Sequence, residues 1–156
     1  MKFTPSKTIW LASVLTGLSL SVAGQTETRL ATQAIHCAAV FTVLAQTHAA
    51  DSTLAPRWHK AVNIFTEVYA KEHNADLKPE EAAKRLEVAL ADIQAGWTTR
   101  AAQFTESSVI CGAWAEGFLE QGEFYKHVPV YPKVVAMHIR SQYQALAEDA
   151  LKRWQP

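Results

Sequence analysis

The stretch Leu30–His48, LATQAIHCAAVFTVLAQTH, is the most apolar segment after the N-terminal leader, and neither glycine nor proline interrupts it. At about 100° per residue, Leu30, Ala34, Cys37, Ala38, Phe41, Leu44, Ala45 and His48 fall on one helical face. Ile35, Val40 and Val43 occupy much of the remainder. A helix apolar nearly all round belongs at the centre of a core, with other helices laid against it. Thr26 or Thr28 is positioned to cap its start, and Glu27 sits where a carboxylate favours the positive end of the helix dipole.

Ahead of this helix, Met1–Gly24 has the plan of a secretory signal peptide. Lys2 and Lys7 precede a short apolar run, Ile9–Leu20, and Ser21-Val22-Ala23 supplies small residues for cleavage after Ala23 or, as second choice, after Gly24. The run is interrupted by Ser13, Thr16, Gly17 and Ser19 and is shorter than the ~20 residues of a stable span. Retention as an anchor is the alternative; with the leader removed, no stable membrane span is expected. Residues 25–156 are expected to form a single helical domain, about 130 residues being enough for one sizeable core.

Export changes how the two cysteines read, because thiols outside the cytosol are normally oxidised. Cys37 and Cys111 lie on different predicted helices, 74 positions apart, so one disulfide between them is expected. Two separate buried thiols are the alternative. Without a Cys-x-x-Cys motif, redox catalysis and covalent haem attachment have no sequence support.

Four further segments carry helical periodicity. Trp58, Ala61, Val62, Phe65, Val68 and Tyr69 mark a second helix starting near Pro56 or Arg57. Pro79-Glu80-Glu81 opens a third, whose stripe of Leu86, Leu90, Ile93, Trp97, Ala101 and Phe104 runs past Gly96; that glycine marks a bend, a close contact or a split into two helices. Thr105-Glu106-Ser107-Ser108 is read as the cap of a fourth helix carrying Cys111, Trp114, Ala115 and Phe118 and ending near Gly122. After a connector at Glu123–Tyr131, Pro132 fits the first turn of a last helix with Val135, Ile139, Gln142, Leu146 and Ala150 turned inward. The expected fold is all-α: an antiparallel bundle of four or five helices with an inter-helix disulfide, after a cleaved signal peptide.

Charge excludes some partners. The full chain has 15 basic and 15 acidic residues, and removing Lys2 and Lys7 leaves a net charge of −2, so no nucleic-acid partner is expected. Nor does the sequence assemble a familiar catalytic or metal-binding set. The six histidines lack the paired spacing of a zinc helix, His36 and His48 lie about 120° apart on one helix, and no cofactor or metal is expected. Glu116, Glu120 and Glu123 read as a solvated helix edge, and Ser107 and Ser108 have no assigned base.

Aromatic residues are in surplus, and those in the Pro-bounded connector have little helical burial to account for them. Phe124, Tyr125, His127 and Tyr131 are therefore the candidate binding surface. The functional expectation is an exported, periplasmic or secreted, binding or interaction protein whose partner is an envelope protein or a small ligand. The alternatives are a small hydrolase or lyase using scattered carboxylates and histidine, and an envelope assembly or stress helper. The sequence does not fix the oligomeric state.

Overall fold

A computed structural model describes residues 28–73, 77–122 and 127–154. The leader at 1–24, with its cleavage sites, lies outside the described residues, as do Phe124 and Tyr125. The described chain is an all-α antiparallel bundle of α1 (Arg29–Thr47), α2 (Leu54–His73), α3 (Pro79–Ala95), α4 (Ala101–Gln121) and α5 (Lys133–Arg153).

The Leu30–His48 segment is the hub. Thr28 caps it by accepting a hydrogen bond from the Ala31 amide at 3.1 Å, and eleven of the nineteen residues of α1 are buried. It packs most extensively on α2 and also touches α3, α4 and α5. By length and hydropathy α1 could cross a membrane, but 61% of that window is covered by the rest of the bundle. The all-round apolar surface is thus used against protein.

Short turns dictate the antiparallel neighbours. At the end of α1, His48 turns its Nδ1 toward the Leu44 carbonyl at 3.0 Å and its Nε2 toward the Asp149 carboxylate of α5 at 3.0 Å. The Asp51 carboxylate then accepts from the amides of Thr53 and Leu54, both at 2.8 Å, and starts α2 two residues before the expected Pro56. Pro79 occupies the first turn of α3 with Glu80 and Glu81, as read from the sequence.

Gly96 splits the expected long third helix in two. Its amide closes α3 on the Asp92 carbonyl, and Arg100 folds back across it to donate to both Asp92 carboxylate oxygens, at 2.9 and 3.2 Å. A Cβ at Gly96 would sit 2.1 Å from Arg100 Nε, so a side chain there would displace the exposed guanidinium from its place across the turn. Helix α4 therefore begins at Ala101, and the expected cap at Thr105–Ser108 is corrected. Those residues lie inside the helix, where Thr105 and Ser108 hydroxyls donate to the carbonyls of Ala101 and Phe104 at 3.1 and 2.9 Å.

The staple is present: Cys37 and Cys111 are disulfide-bonded with Cα atoms 5.3 Å apart, joining α1 to α4. Gly112, beside it, lets α5 close in, since a Cβ there would lie 2.4 Å from the buried Tyr143 ring. Helix α4 ends at Gly122 in the left-handed conformation. Pro132 stands at the N-cap of α5, one position before the first turn. Of the expected inward stripe of α5, Ile139 and Ala150 are buried, but Val135 is exposed and Tyr143 and Ala147 take the deepest places.

Candidate functional site

The Cys37–Cys111 bridge organises a surface cleft of about 470 Å³ above it. Leu30 and Arg29 reach it from the first turn of α1, Ile110 and Trp114 from α4, and His127 and Val128 from the segment leading into α5. Gln33 completes the α1 wall, one turn before Cys37, with its amide 3.9 Å from the Cys37 sulfur. Cys37 follows Gln33 by four residues, and Ile110 and Trp114 flank Cys111 by one and three. The bridge therefore fixes the two walls against each other.

Of the candidate surface residues, His127 is exposed at the mouth of this cleft. Tyr131 is half-buried, and its hydroxyl donates to the Ala113 carbonyl at 2.8 Å. The two are thus brought to adjacent positions along α4, beside Trp114 and Ala113. Phe124 and Tyr125 lie outside the described residues.

Past Tyr131 the surface becomes aliphatic. Val130 is 99% exposed, Val134 80% and Met137 62%, and Val128 and Val135 are exposed beside them. Val134 and Met137, three apart, share the outward side of the first turns of α5. Beside them, Arg140 forms a two-pronged ion pair with Glu106 of α4 at 2.9 and 3.0 Å.

A second polar feature was not legible as a site in the sequence. His36 of α1 and Ser107 of α4 meet with Nε2 and Oγ 3.0 Å apart, lining a cavity of about 30 Å³ with Asp92, Trp97, Arg100 and Phe104. Burial pushes the His36 imidazole below its ordinary range; Asp92 pulls it upward and Arg100 pushes it down. Among the described residues no group of three or more His, Cys, Asp or Glu side chains is placed to hold a metal ion.

The lowered His36 pKa has a consequence for stability. The unfolded chain binds a proton on this residue near pH 6.5 while the folded chain does not, so stability falls as pH drops through 6.5 toward the folded value. Replacing His36 by Gln is expected to flatten that slope. Urea unfolding at pH 7 and pH 5 measures it, and an unchanged slope in the variant would assign the loss to another group.

The expected solvated edge of α4 is corrected at Glu116, which is only 6% exposed. Its carboxylate accepts from the Arg57 guanidinium of α2 and, at 2.6 Å, from the Tyr143 hydroxyl of α5. Burial and the adjacent carboxylate push the Tyr143 phenol upward, opposed by Arg57 and by a hydrogen bond from Trp58. This chain of polar groups runs inward from the half-buried Arg57 and ties α2, α4 and α5 together.

Comparison with protein-family models, curated proteins and solved structures gives no match.

Proposed function

We propose that this is an exported binding protein that recognises a protein partner of the cell envelope through the aliphatic face running from Val128 through Val130 and Val134 to Met137. The observation that carries this reading is the exposure of Val130, Val134 and Met137, at 99%, 80% and 62%, along the chain entering α5 and its first turns. Scattered exposed valines are ordinary, but a cluster at one end of a helix marks an interaction surface. The oxidised Cys37–Cys111 pair supports export, as does the leader-like sequence at Met1–Gly24, since cytosolic thiols are kept reduced.

A hydrolase is the second reading, favoured by the Ser107–His36 contact. Two features weigh against it. A cavity of about 30 Å³ has room for little beyond ordered water. Both oxygens of Asp92 are engaged by Arg100, which leaves the imidazole without a carboxylate dedicated to orienting it.

Val134→Asp tests the partner-binding reading. The side chain is exposed, so the melting temperature is expected to stay close to that of the parent, while capture of the envelope partner falls at least tenfold through burial of an unpaired carboxylate. Retained capture by a folded variant would overturn the assignment. Covalent labelling of Ser107 by a fluorophosphonate would move the weight to the hydrolase.

A further inference from the structure

We infer that the cleft above the disulfide is a separate binding site for a small organic anion with an apolar body, of the class of a medium-chain carboxylate. Four of its walls, Leu30, Ile110, Trp114 and Val128, offer hydrocarbon or aromatic surface. Its volume of about 470 Å³ falls within the ~300–1,000 Å³ of small-molecule sites. The polarity is one-sided. Arg29 and His127 stand at the cleft, and among the described residues no carboxylate lines it.

That charge distribution selects the ligand. Arg29 makes no ion pair among the described residues, and its guanidinium fork matches a carboxylate in two parallel hydrogen bonds. A neutral amphiphile would fill the apolar walls and leave that fork unused. A cationic one would bring like charge to Arg29 with no acid among the described lining residues to offset it. Because Arg29, Leu30, Gln33, Ile110 and Trp114 belong to α1 and α4, which Cys37–Cys111 joins, little ordering of those walls is required when the ligand enters.

The site shares only Val128 with the aliphatic partner face, and the test keeps the two apart. Amide and indole shifts of the full mature oxidised protein are followed by NMR during titration with octanoate, octan-1-ol and octyltrimethylammonium. Octanoate is expected to shift Leu30, Gln33, Ile110 and the Trp114 indole saturably, with an affinity roughly tenfold or more above that of the alcohol. The ammonium is expected not to saturate these signals. Arg29→Gln, at an exposed position, should remove the preference for octanoate without changing the melting temperature, and Ile110→Trp should fill the cleft and abolish octanoate binding. Val134→Asp should leave it intact. Equal affinities for octanoate and octanol, shifts located away from the cleft, a preference that survives Arg29→Gln, or no saturable shift up to about 10 mM octanoate would each overturn the proposal.

Discussion

Reduction of the Cys37–Cys111 disulfide is expected to lower the unfolding free energy by about 3–4.5 kcal/mol. The bridge closes a loop spanning 74 positions, and the loop-closure entropy it removes from the unfolded chain corresponds to about 4.5 kcal/mol at 25 °C. Residual structure in the unfolded state reduces that figure. Both sulfurs are fully buried between α1 and α4, so the folded state can keep its packing as two thiols and the loss falls mainly on the unfolded side of the balance. Urea unfolding of oxidised and reduced protein, read by circular dichroism, measures the difference. Protein isolated from its own compartment should show no free thiol under denaturing, non-reducing conditions. A stability difference below about 1 kcal/mol would mean that the helices hold their places without the staple.

Glu116→Ala is expected to cost about 3 kcal/mol. The carboxylate is buried and accepts from both Arg57 and Tyr143, so its removal strips the acceptor from a fully buried phenol and leaves a half-buried guanidinium unpaired. Glu116→Gln keeps an acceptor oxygen and the volume, and should cost about 1–2 kcal/mol. Glu120, four residues on and exposed, provides the comparison: Glu120→Ala should stay within about 0.5 kcal/mol of the parent. Equal effects at the two positions would show that the polar chain through α2, α4 and α5 contributes nothing specific.

The difference between these two glutamates indicates how far a sequence can be read. Both sit on α4 among apolar neighbours, and a charged residue is assumed solvated unless a partner is known. The partners of Glu116 are 59 and 27 positions away, on α2 and α5, and the close approach of α5 is one that Gly112 allows. No periodicity reports that. The serines fail for a related reason. A Ser or Thr hydroxyl serves equally as a helix cap or as a donor to the carbonyl one turn back, and Thr105 and Ser108 do the latter. The stripe from Leu86 to Phe104 continues across Gly96 because it records which side chains are covered, not whether the backbone is continuous.

Other features were legible because one local cause dominates each of them. An all-round apolar run has to be central, as α1 is. Pro79 with two acids starts a helix, and Gly122 ends one. Two cysteines in a chain with an export-like leader pair with each other. The cleft was half-visible: given the disulfide, Gln33, Ile110 and Trp114 follow from helical spacing around the two cysteines. Arg29 and the placement of His127 opposite them required the path of the chain into α5. The exposed valines are not legible in the sequence, because whether Val134 or Val135 faces outward on a short apolar stretch is set by the neighbouring helices.

The most direct test of the binding role is a photo-crosslinking residue placed at Val134 of the oxidised protein and irradiated in envelope extract, with the same residue at the exposed Glu87 of α3 as reference. The expected result is a discrete protein adduct at position 134 that is absent at position 87. No adduct at 134, or the same adducts at both positions, would contradict a recognition face at the start of α5.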